Sequence, residues 1–282
     1  MLKPIMKKAF LLIGLLMVTL SCSEYQKVLK SRDVGLKYKT AEKLYDEAKA
    51  GEGRVRSKLR KALGLFEQIV PEYRGKPQGQ RVMYLFADTY YELGDYYLSG
   101  YQFERFAETY PQSDKAEEAA FKGAKSFYFL SPPYNLDQTE TRQAIAKLQG
   151  FINKYPESEK LDEASQLVQE LTVKLERKAY EIAKQYHHTT DYKAAIASFD
   201  NFISEYPGST FSEEALYYRL ESAYLYAINS YAYAMPERLE AAEKYYRDYI
   251  KYFPQGEYLE KAEAAFVDIE QKQETLNTTE VQ

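Results

Sequence analysis

Few residues in this chain of 282 have side chains able to do covalent or metal chemistry. Cys22 is the sole cysteine, so no disulfide can form within the chain, and its thiol is the one soft nucleophile. His187 and His188 are the only histidines. Neighbours in a helix do not share a face, and no cysteine is available to join them, so the pair does not read as a metal site. Acidic residues are plentiful but fall at helix starts and on polar faces. No glycine-rich phosphate loop and no serine in a strand–turn–helix elbow is present. These absences give no catalytic residue, no metal site, no cofactor and no enzyme. The conspicuous excess is aromatic: 29 Tyr and 14 Phe with no Trp. Pairs such as Tyr90–Tyr91 and Tyr217–Tyr218 cannot both face one core, so one member of each is expected at the surface or in a groove, where a large ring with a wet hydroxyl suits an interface.

The chemistry of Cys22 is set by what precedes it. Lys3, Lys7 and Lys8 form a basic start, and Ala9 to Leu20 is an apolar run too short to span a bilayer as a helix. That is the pattern of a secretory signal. Thr19-Leu20-Ser21-Cys22 resembles a bacterial lipobox, with Thr19 where leucine is usual. The resemblance implies that Cys22 becomes the lipidated first residue of the mature chain. Ser23, in place of aspartate, implies sorting to the outer membrane, with the protein facing the periplasm.

The elements that carry the rest are helices. Counted back from Pro207, large residues stand at Phe199, Phe202, Ile203 and Tyr206, one face of a helix. Pro207 ends it, and Ser209 is a natural N-cap for the next, with Glu213 and Glu214 in its first turns and Ala215 following. The pattern recurs as Phe103, Phe106, Tyr110, Pro111, Ser113, Ala119; as Leu148, Phe151, Tyr155, Pro156, Ser158, Ala164; and as Tyr246, Tyr249, Phe253, Pro254, Gly256, Ala262. A degenerate copy has Leu63, Phe66, Val70 and Pro71. The chain is therefore all-α, a tetratricopeptide-like superhelical solenoid of five helical hairpins with a C-terminal capping helix.

The expected layout is a signal peptide over 1–21 and a lipidated tether over 22–35. N-terminal repeats follow over 36–156, then C-terminal repeats with the cap over 157–275, and a disordered tail over 276–282. Helices are expected over 161–188 as one long rod, because that run has no Gly or Pro, and from about 257 to 275 as the cap. Ser131-Pro132-Pro133 breaks the third hairpin at a longer loop, a spacer or a functional segment.

Net charge is −4, and −7 without the segment before Cys22. From Ser23 to Lys76 there are 14 Lys or Arg against 8 Asp or Glu, a basic module suited to anionic lipid or acidic partners. The remainder is acidic, which argues against nucleic acid as a partner.

The lipobox, the hairpins, the Tyr-Pro-x-Ser joints, and the run Leu175, Ala179, Tyr180, Glu181, Ala183, Tyr186, then Tyr192, Ala194, Ala195, Ile196, resemble the BamD-like family of outer-membrane assembly lipoproteins. The resemblance implies a scaffold of the β-barrel assembly machinery. Its N-terminal repeats would receive unfolded outer-membrane β-barrel proteins, with Tyr38, Tyr45, Tyr84 and Tyr91 as candidate groove residues. Its C-terminal repeats would bind a BamA-like barrel insertase, with Tyr218 and Tyr226 as candidate contacts. Two other readings use similar helices: a periplasmic scaffold for cell-wall or envelope enzymes, and a glycan-binding lipoprotein, the latter disfavoured by the missing tryptophan.

Overall fold

The computed structural model describes residues 24–280. Every regular element among them is helical. Residues 24–30 form a first helix, α1. There follow α2 (Val34–Lys49), α3 (Val55–Ile69), α4 (Gly79–Leu93), α5 (Tyr96–Thr109), α6 (Ala116–Leu130), α7 (Thr139–Lys154), α8 (Leu161–His188), α9 (Tyr192–Glu205), α10 (Ser212–Ile228), α11 (Met235–Tyr252) and α12 (Leu259–Glu280). Consecutive helices pack on one another as hairpins, the tetratricopeptide-like arrangement expected of the repeats. The chain forms two compact units, parting inside α8 after Val168; the loop Pro132–Gln138 belongs to the second.

The matched apolar positions are the core. Phe103, Phe106, Leu148, Phe199 and Tyr249 are fully buried, as are the motif alanines Ala119, Ala164, Ala215 and Ala262. Burying each aromatic ring contributes on the order of 2–3 kcal/mol. An alanine facing them keeps the next helix close.

The joints repeat in detail. Tyr110, Tyr206 and Phe253 cap α5, α9 and α11 with φ near −126°, −122° and −132° and ψ of 61–63°. Each stands before a proline, whose ring forbids helical geometry in the residue preceding it. Ser209 does not cap α10, contrary to expectation. That helix starts at Ser212, and the Ser209 hydroxyl instead accepts the Phe211 N–H inside the turn. Ser113 and Ser158 do the same for Lys115 and Lys160.

The serine joints are also latched to a preceding helix. Gln80 donates to Ser113; Ser158 donates to Glu117; Ser209 donates to Glu176 at 2.7 Å. At the last joint Gly256 replaces the serine. There Glu213 takes the Tyr258 N–H at 3.2 Å and the Tyr249 hydroxyl at 2.9 Å. A Cβ on Gly256 would run into that carboxylate, which would have to move and give up these bonds.

Two sequence expectations are corrected. Part of the supposed tether is helix α1, because Tyr25, Val28 and Leu29 pack against the first core. The supposed tail is helical to Glu280, with Leu276 packed on the second core. The long Pro132–Gln138 loop is tied down: Lys178 donates to the Leu136 carbonyl, and the Arg177 guanidinium lies 4.2 Å from the centre of the Tyr134 ring. Cys22 and the signal segment lie outside the described residues.

Candidate binding face

In the first unit, α4 and α6 set one charged, aromatic face. Helical spacing puts Tyr84, Asp88 and Tyr91 along one side of α4. The same spacing aligns Glu118, Lys122 and Lys125 on α6, with Lys115 at its N-cap. At its centre Asp88 is 1% exposed. Its carboxylate accepts from Lys122 at 2.6 Å and from the Tyr45 hydroxyl, while Lys49 lies at 3.9 Å. Lys122 also meets Glu118 at 3.1 Å and the Tyr84 hydroxyl at 3.3 Å. Its ammonium lies 5.6, 5.8 and 6.0 Å from the centres of the Tyr84, Tyr91 and Phe103 rings. Ring faces favour a cation at that range, so rings and carboxylates hold one charge together.

The electrostatics follow from this. Burial alone would push the Glu118 carboxyl up, but hydrogen bonds from Lys115, Tyr84 and Lys122 outweigh it and hold it down at about 2. Burial opposes the charge on Lys122, yet Asp88 and Glu118 keep its pKa above the ordinary lysine value. Burial, and then the carboxylates of Asp88 and Glu118, drive the Tyr45 and Tyr84 hydroxyls far up. Burial pushes Tyr91 up to about 12. None of these groups is poised to exchange a proton near neutrality.

Two clefts flank Lys122. One, of about 480 Å³, is lined by Tyr45, Tyr84, Asp88 and the rim charges Arg81 and Lys115. The other, of about 680 Å³, is lined by Tyr91, Phe121, Lys125 and Glu163. Asp114, Glu118 and Lys122 line both. Three of the four candidate groove tyrosines therefore converge. Tyr45 is 7% exposed with its hydroxyl on Asp88, so it supports the floor rather than offering a contact. Tyr38 stands apart, its ring 5.6 Å from Tyr73 and its hydroxyl 3.0 Å from Glu42. Sequence reasoning missed Asp88, Glu118 and Lys122. The signal was the pair Glu118–Lys122, one helical turn apart on a face turned toward tyrosines.

The second unit repeats the plan at one constant shift in numbering. Tyr84, Asp88, Gly94, Asp95, Glu118 and Lys122 correspond to Tyr180, Lys184, Thr190, Asp191, Glu214 and Tyr218. The charges are reversed between helices: here α8 brings the lysine, and Lys184 meets Glu214 of α10 at 2.9 Å. Lys184 lies 5.2 and 4.9 Å from the centres of the Tyr180 and Tyr218 rings. Tyr218 is half-buried among these groups. Tyr226, further along α10, lies under the Arg238 guanidinium at 3.8 Å in a separate cleft of about 420 Å³. The two candidate contacts are not brought into one cleft. His187 is spent within the unit, bonded to Ser222 at 2.9 Å and facing Glu221 at 3.3 Å.

Fold and site together define a tetratricopeptide-like helical repeat protein whose clefts are lined by charged and aromatic side chains. Residues 37–235 match the model of the YfiO family, described as outer membrane lipoprotein. The chain belongs to that family. It is 32% identical over 211 residues to a protein of Aquifex aeolicus named putative outer membrane protein assembly factor BamD, covering 74% of this chain and 65% of the relative. It is 25% identical over 198 residues to outer membrane protein assembly factor BamD of Caulobacter vibrioides, covering 70% of this chain and 62% of the relative. The matched stretches thus span somewhat less than two thirds of these relatives' lengths. No helix among the described residues is long and apolar enough to cross a membrane.

Proposed function

We propose that this protein is a periplasm-facing scaffold in the assembly of outer-membrane β-barrel proteins, held to the outer membrane by lipid on Cys22. In this reading the clefts on either side of Lys122 take extended segments of unfolded barrel proteins. Aromatic floor and mixed-charge rim suit a chain that alternates apolar and polar side chains. The second unit, through the surface around Tyr218 and Tyr226, docks a BamA-like insertase. The observation that carries the reading is family membership together with two relatives named as outer membrane protein assembly factors. Affinity purification from gently solubilised outer membranes tests it. Recovery of a barrel insertase, and loss of barrel proteins on depletion, is the expected result. Recovery of cell-wall enzymes alone, with barrel levels unchanged, overturns it.

A further inference from the structure

The first unit carries a second feature that the binding face leaves unused. Helix α1 is clamped onto α3: the Tyr25 hydroxyl donates to the Lys61 carbonyl at 3.1 Å, and its ring lies under the Lys61 ammonium. Gly64 makes room, since a Cβ there would come within 3.2 Å of the Tyr25 hydroxyl. Lys37, near the start of α2, donates to Gln68 at the far end of α3. So α1 begins against the middle of α3 and leads toward its C-terminal end.

Both helices are basic. Lys27 and Lys30 are exposed on α1, and Arg32 follows it. Arg54, Arg56 and Arg60 are exposed at and along the start of α3, and Arg56 and Arg60 lie one turn apart. None of the six has a carboxylate within ion-pair distance among the described residues, whereas Lys43, Lys49 and Lys58 of the same hairpin do. Cys22 is three residues from Tyr25, a reach of at most about 10 Å. A lipid on that cysteine puts a bilayer surface within one or two helix diameters of all six cations.

We infer that Lys27, Lys30, Arg32, Arg54, Arg56 and Arg60 form a docking surface for the phosphate headgroups of an anionic bilayer, laying α1 and α3 against the membrane that holds the lipid. The inference rests on the reading of Cys22 as the lipid attachment. It adds that the protein's own surface recognises the membrane without any acyl chain.

The test uses the chain from residue 22 carrying Cys22→Ser, produced without acylation, and floats it with vesicles. Vesicles containing phosphatidylglycerol should bind it, vesicles of phosphatidylcholine alone should not, and added salt should weaken binding. Removing one cation near a charged surface costs about fivefold in affinity, so Lys27→Gln/Lys30→Gln/Arg60→Gln should lose more than tenfold. The control Lys193→Gln/Lys244→Gln/Lys251→Gln, on exposed lysines of the second unit, should leave binding unchanged. No vesicle binding, or equal loss in both triple variants, overturns the inference. So does loss of an acidic protein from a membrane extract with vesicle affinity intact, which would assign the patch to a protein partner. The mass of the N-terminal peptide from cell membranes reports acylation separately, so failure of the patch and failure of the lipid reading are distinguishable.

Discussion

Replacing Lys122 by methionine tests the centre of the binding face. Methionine keeps the length of the stem and its contact with Tyr84, Tyr91 and Phe103, and removes only the charge. Asp88, 1% exposed, then keeps the Tyr45 hydroxyl and a Lys49 ammonium at 3.9 Å. Breaking a buried pair from one side costs about 3–5 kcal/mol. The surviving partners put this case at the low end, about 3 kcal/mol, more than a hundredfold in an opening equilibrium. Hydrogen exchange of α4 and α6 amides reads that quantity locally, without requiring the whole chain to unfold in one step. Those amides should exchange on the order of a hundredfold faster in Lys122→Met. Asp88→Asn/Lys122→Met should recover most of the loss, because the orphaned charge is gone. Exchange within about threefold of the parent in the single variant, or a double variant as weak as the two singles added, would refute the account of Lys122 as the counter-charge of a buried carboxylate.

Four further outcomes follow from named contacts. Thr190 is the one non-glycine residue with positive φ (62°) among those described, at the place where the first unit has Gly94; Thr190→Gly should stabilise by about 0.5–1 kcal/mol in denaturant unfolding, and a loss would remove the strain argument. Gly256→Ala drives a Cβ into Glu213 and should cost about 1–3 kcal/mol by the same measurement. The Glu118 carboxyl, depressed to about 2, contributes stability that is complete above its ordinary value near 4.5 and lost as pH falls from there toward 2. Melting of Glu118→Gln should accordingly depend less on pH across that window; an unchanged acid limb would show that the bonds to Glu118 do not matter to folding. Cys22→Ala should leave salt-washed membranes for the soluble periplasm, and continued co-sedimentation at high salt in the absence of partners would place the anchor elsewhere.

Hairpin order was legible because each joint writes itself twice, once as an apolar stripe and once as a proline that ends it. Phe199, Phe202 and Ala215 could be assigned to the core from spacing alone, and all three are buried. Helix 161–188 was legible from the lack of Gly and Pro, and its ends match. What stayed hidden depends on contacts distant in sequence. Ser209 has the residue type of an N-cap, but its hydroxyl stays within the turn and reaches Glu176. Asp88 and Lys122 look like surface charges until α4 and α6 are placed side by side. Tyr45 and Tyr84 read alike in sequence and line one cleft, yet Tyr45 is buried there as a buttress for Asp88. Residues 24–30 looked like a tether because their three apolar side chains are too few to show a period before α3 supplies a partner.

An array of look-alike hairpins faces a particular hazard while it folds: a helix can settle on the wrong neighbour, since every neighbour presents the same stripe. The joint contacts bear on this because they do not all use the same chemistry. At Ser113 an amide gives the proton, at Ser158 and Ser209 a carboxylate receives it from the hydroxyl, and at Gly256 the carboxylate needs the very space that a side chain would fill. A serine joint offered to Glu213 brings a side chain into the space that this carboxylate occupies beside Gly256. The stripe says that a helix belongs somewhere in the row; the joint narrows which place that is.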